Sequence, residues 1–113
     1  MVTKVQSALV GYESIITDGN ANRTLALTDV DGYIRMTNAG ANTLTVPANV
    51  TVAIPIGSLV QGIQAGAGQT TLTPAGGVTI NGTPGLKMRA QFSPWALKKV
   101  GTNEWDAIGD LAA

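Results

Sequence analysis

An all-β fold of short strands follows from three features of the sequence. Apolar and polar residues alternate over short runs, and Gly, Asn and Pro interrupt these runs roughly every ten positions. No segment sustains the period of an amphipathic helix. The spacing predicts an antiparallel β-sandwich or small barrel, with residues 1–22 an extended N-terminal arm and residues 23–113 the body.

In the arm, Val5, Leu9, Tyr12, Ile15 and Ile16 are apolar without a helical or alternating period. They suit an extended segment that exchanges onto a neighbouring subunit. Asp18-Gly19-Asn20-Ala21-Asn22 ends the arm with turn chemistry, because Gly and Asn tolerate positive φ. Short strands are then expected at Leu25–Leu27, Tyr33–Thr37, Thr43–Val46 and, beyond Pro47, along Val50, Val52 and Ile54.

Leu59–Gln64, Thr70–Thr73 and Val78–Ile80 continue the series. The clearest alternation is later, with Leu86, Met88, Ala90 and Phe92 set against Lys87, Arg89, Gln91 and Ser93. Ala96–Val100 and Trp105–Ile108 flank a loop suited to a hairpin. One stretch echoes another: Thr43 to Val52 is similar to Thr71 to Ile80. Two copies are too few for a solenoid, so the echo reads either as two strand–turn–strand units packed across one core or as chance recurrence in a Thr- and Val-rich chain.

Composition narrows the function. A chain of 113 residues fits one domain. Charged residues are only 12%, and seven Lys and Arg balance seven Asp and Glu. Such a chain has no long-range attraction for nucleic acid or anionic lipid, and little charge to keep copies apart, which favours an oligomer. With no His and no Cys, the usual general base, the thiol nucleophile and the commonest zinc ligands are missing. The N-terminus lacks a signal-peptide core and no run spans a bilayer, so the expectation is a protein made in the cytoplasm.

The motifs that could carry chemistry fall short. Asp29-Val30-Asp31-Gly32 lacks the later oxygen ligands of a calcium loop, and Gly66-Ala67-Gly68 lacks the Lys-Ser/Thr pair of a phosphate loop. Trp95 and Trp105 are expected to anchor the core or an interface more than to stack on sugars. Neither a catalytic site, a metal, a cofactor nor a small-molecule substrate is expected. Lys87, Arg89, Lys98 and Lys99 gather positive charge in the last third of the chain, either as solubilising residues or as a docking face for an acidic protein surface.

The run Tyr33-Ile34-Arg35-Met36-Thr37-Asn38-Ala39, then Asn42 to Pro47, Ile56-Gly57, Gln64 to Gln69 and Gly77 to Asn81, resembles a module of tailed-bacteriophage structural proteins. Leu97 to Trp105 and Gly109-Asp110-Leu111 are similar to the end of that module, so the likeness spans about Leu25 to Leu111. The resemblance implies a virion component, commonly a homotrimer. The implied role is a capsid cement or decoration protein, bound to the major capsid protein on the outer capsid surface, with Lys87, Arg89, Lys98 and Lys99 docking on the shell. The alternative implied role is a tail-fibre or appendage domain that binds a host receptor.

Overall fold

The computed structural model describes residues 14–113. Val5, Leu9 and Tyr12 lie outside the described residues. From Ile15 onward the chain is all-β, with no α-helix among the described residues. The strands are β1 (Ile15–Asp18), β2 (Asn22–Thr24), β3 (Tyr33–Met36), β4 (Asn42–Val46), β5 (Leu59–Gln64), β6 (Thr70–Pro74), β7 (Thr79–Asn81), β8 (Lys87–Met88), β9 (Pro94–Gly101), β10 (Glu104–Gly109) and β11 (Leu111–Ala112). They form a six-stranded sheet, β1-β3-β5-β9-β10-β7, and a five-stranded sheet, β11-β8-β6-β4-β2.

The expected antiparallel sandwich or barrel is corrected by the pairing. From β1 to β8 successive strands fall alternately in one sheet and the other, and β1/β3, β3/β5, β2/β4 and β4/β6 all pair in parallel. A chain that crosses to the opposite sheet and returns arrives in its original direction, so its neighbours in each sheet run parallel. The Gly- and Asn-rich turns between these strands are corners between sheets, and the rungs stack as in a solenoid. A true hairpin forms between β9 and β10, around Thr102-Asn103.

The internal echo is the stacking register. Thr43, Leu44 and Thr45 pair with Thr71, Leu72 and Thr73, and Tyr33 pairs with Gln61, a shared offset of 28 positions (Thr43 to Thr71, Tyr33 to Gln61). The first strands of the two copies, β4 and β6, lie side by side in one sheet. Their corners stack too: the Gly68 N–H donates to the Asn38 carbonyl, and Asn42 Nδ2 donates to the Gly40 and Gly68 carbonyls at 3.0 and 3.2 Å. A Cβ on Gly68 would overlap the Gly40 carbonyl, so the corners approach this closely only with glycine there.

The core between the sheets holds Ile34, Met36, Leu44, Val46, Val60, Leu72, Met88, Leu97, Trp95 and Trp105. Both tryptophans are buried there, Trp95 lying against Gly62, where any Cβ would meet the indole ring. A fully buried Asp29 accepts from the Ala26 N–H and from Arg23 Nη2, while Arg23 Nη1 reaches Asp18 at 2.9 Å. This bridge fastens the first rung. Burial raises the Asp18 pKa, but hydrogen bonds from the Asn20 backbone and the Arg23 guanidinium outweigh it, so the group sits below its ordinary value.

Three local expectations differ. Val50 to Ile54 forms turns rather than a strand, with Val50 at 92% exposure. The alternation from Leu86 to Ser93 yields only β8, since the chain bends at Arg89 and Ala90 and turns at Gln91 and Phe92, where Phe92 takes φ 70° and is exposed. Leu25 to Leu27 is replaced by β2 and a single 3-10 turn at Leu27–Asp29.

Candidate interaction surface

Alternation in β3, β5, β9 and β10 sends Ile34, Met36, Val60, Leu97 and Trp105 inward and leaves every second residue outside. Cross-strand register places Ile15, Tyr33, Gln61, Ala96 and Ile108 in one outward row across the six-stranded sheet. A second row holds Thr17, Arg35, Ile63 and Pro94, and a third holds Leu59, Lys98 and Asp106. Ile15 and Ile108 are 64% and 63% exposed. Between Tyr33 and Ile108, over the small Ala96, the surface dips into an apolar hollow of about 260 Å³.

The five-stranded sheet faces outward differently. Its rows are Asn22, Thr43, Thr71 and Lys87, and Thr24, Thr45 and Thr73. Thr43 and Thr45 donate their hydroxyls to Asn22 Oδ1, and all of these side chains are ones water solvates readily. The same alternation therefore produces one polar and one largely apolar face.

The four basic residues do not come together. Lys87 belongs to the Thr-lined face, Arg89 pairs with Asp110 at 2.9 Å, and Lys98 stands on the apolar face with its Nζ donating to the Gly57 carbonyl. Lys99 is 2% exposed, which removes it from any docking face. Adjacent residues of a strand point to opposite sides, so Lys98 and Lys99 cannot both face out. Lys99 Nζ donates to Asn49 Oδ1 at 2.8 Å and to the Ile54 carbonyl at 2.6 Å, and lies 5.8 Å from the Trp105 ring centre. Burial pushes its pKa down.

Ile15 and Ile16 divide in the same way, Ile15 outward and Ile16 against the core. Both sit in β1, paired with β3, so the six-stranded sheet begins inside the segment expected to be an arm. Sequence reasoning missed the face formed by Tyr33, Leu59, Ile63, Ala96 and Ile108, whose members come from four strands. The signal available was the alternation in each strand, but which alternate residues share a face depends on register. Among the described residues no group of three acidic side chains assembles that could hold a metal ion, and no helix is long and apolar enough to cross a membrane. No family model and no curated protein matches the chain.

Proposed function

We propose that the chain is a non-enzymatic structural protein of a tailed-phage virion, a capsid cement or decoration protein that binds the major capsid protein on the outer capsid surface as a homotrimer. The observation that carries this reading is the unequal pair of sheet faces. One face is dressed in Thr for water, while the other leaves Ile15, Tyr33, Ile63, Ala96 and Ile108 outward, as a surface built to be covered is dressed. The low charge and the likeness of about Leu25 to Leu111 to phage structural modules support the same setting. A two-sheet body with both tryptophans buried in an aliphatic core suits a mechanical part.

In this role the chain works through binding free energy. Three copies in one assembly meet the shell together, so individually weak contacts add through effective concentration. Separating the underlying capsid subunits forfeits those contacts, which raises the cost of rupture. Lys87 and Arg89 are the basic residues left exposed for polar docking away from the apolar sheet face. The test is light scattering for solution mass, followed by cosedimentation with capsids stripped of minor proteins. Saturable pelleting at fixed stoichiometry is expected; a protein that stays in the supernatant overturns the cement role.

A second reading, a fibre or appendage domain that binds a host receptor, draws on Phe92, an aromatic 59% exposed in a left-handed loop conformation. Adhesion of the purified protein to host cells, lost in Phe92→Ala, would favour it.

A further inference from the structure

We infer that copies of this chain meet through the outer face of the six-stranded sheet, about a symmetry axis running along the row Ile15, Tyr33, Gln61, Ala96 and Ile108, with Arg35 of one copy against Asp31 of the next. This rests on the assembly role proposed above and names the surface that serves it.

Residues on a symmetry axis meet their own counterparts, so a charge there would face its like. The middle row carries none. Charges stand off the axis: Arg35 in the row on one side, Lys98 and its cross-strand neighbour Asp106 in the row on the other. Rotation about the middle row turns each side row of one copy towards the opposite side row of the next, at the same strand. This holds for two copies or three.

At β5 that operation sets Ile63 against Leu59. At β3 it sets Arg35 against the position two residues before Tyr33, which is Asp31. Asp31 is exposed in the turn before β3, at φ 62°, and its N–H donates to the Leu59 carbonyl, which holds its backbone beside the row of Leu59. Neither Arg35 nor Asp31 takes part in a salt bridge within the described residues. At β5 and β3 a face that repeats on every copy thus offers apolar residues to apolar residues and a cation to an anion, and at β9 it lays Lys98, with Asp106 beside it on the same copy, against Pro94, without like charges opposed on the axis.

The area agrees with a shared assembly contact. Six strands about 4.8 Å apart and about five residues long outline on the order of 500 Å². A standard interface buries about 800 Å² per partner, so one such face alone gives a weak, reversible pair and gains from closure into a ring.

Charge reversal in the full chain tests the arrangement by analytical ultracentrifugation across concentration. Arg35→Asp and Asp31→Arg are each expected to raise the concentration for half-association by about tenfold, and the double variant to restore it. Ile108→Lys, at an exposed position, is expected to weaken association by about a hundredfold or more while leaving the far-ultraviolet circular dichroism and the unfolding midpoint of the monomer unchanged. Loss without rescue in the double variant overturns the Arg35–Asp31 register. An Ile108→Lys protein that associates like wild type overturns the surface. So does a wild type that is monomeric at all concentrations. In that case hydroxyl-radical protection of Tyr33 and Ile108 would assign the face to residues 1–13 of the same chain. Shell binding by such a monomer would leave the virion role standing and remove this inference alone.

Discussion

The chain builds its sheets in two ways. Residues 15–74 climb in parallel rungs, each strand leaving its sheet before the next arrives, held at the corners by Gly68 against Gly40, by Asn42 and by the Asp18–Arg23–Asp29 bridge. Residues 94–109 instead fold back within one sheet as the β9–β10 hairpin, held from inside by Trp95, Trp105 and Lys99. Stacked rungs need backbone to approach backbone, and small residues or amides at their corners meet that need. A hairpin closes on itself and can spend its inward positions on large side chains.

Breaking each region in turn should show this division. Trp105→Ala removes the largest support of the hairpin and is expected to cost about 3–5 kcal/mol in urea unfolding. Gly68→Val, which forces a side chain onto the Gly40 carbonyl, is expected to cost about 3 kcal/mol, whereas Gly76→Ala, with open space around it, changes little. A Gly68→Val protein as stable as wild type would mean that the corners are not closely stacked.

Smaller effects sharpen the contrast through pH. Asp18→Asn loosens the first rung, with an expected loss of about 1–2 kcal/mol at neutral pH. Because folding lowers the Asp18 pKa, its stabilisation is present above the ordinary value of 3.8 and disappears as pH falls through the folded value, so the variant should show a flatter acid limb. Lys99 acts with the same sign at the alkaline end. Folding lowers its pKa from 10.5, so the unfolded chain holds more protons as that value is approached, and Lys99 adds stability as pH rises through the window just below it. Lys99→Met should lose that rise in a comparison of unfolding midpoints between mildly and strongly alkaline pH. Smallest of all, Arg89→Ser breaks an exposed pair with Asp110 and should leave the thermal midpoint unchanged.

What the sequence revealed divides along the same line. Strand alternation is a local property, so β3, β5, β6 and β10 lie close to where alternation places them. The β9–β10 hairpin was legible for the same reason, since its turn and both strands are contiguous. Parallel stacking is not local. The Gly and Asn that permit a hairpin turn also permit a corner between sheets, and only the constant spacing of Thr43-Leu44-Thr45 and Thr71-Leu72-Thr73 distinguishes the two. That Lys98 and Lys99, like Ile15 and Ile16, divide between two faces was legible, because consecutive strand residues cannot share a face. The exposure of Phe92 was not, since its φ of 70° is imposed where the Phe92 N–H donates to the Gln64 carbonyl.

The rungs also differ in length without losing their register. From Ile15 to Tyr33 the offset is 18 positions and from Tyr33 to Gln61 it is 28, yet both pairs align. Much of the extra chain lies in the return from Pro47 to Ser58, whose tip at Val50 is almost wholly in water. That return is an adjustable seam: a foreign peptide spliced beside Val50 should ride outside the stack, making the protein a scaffold on which an epitope can be presented without rewriting the sheets that carry it.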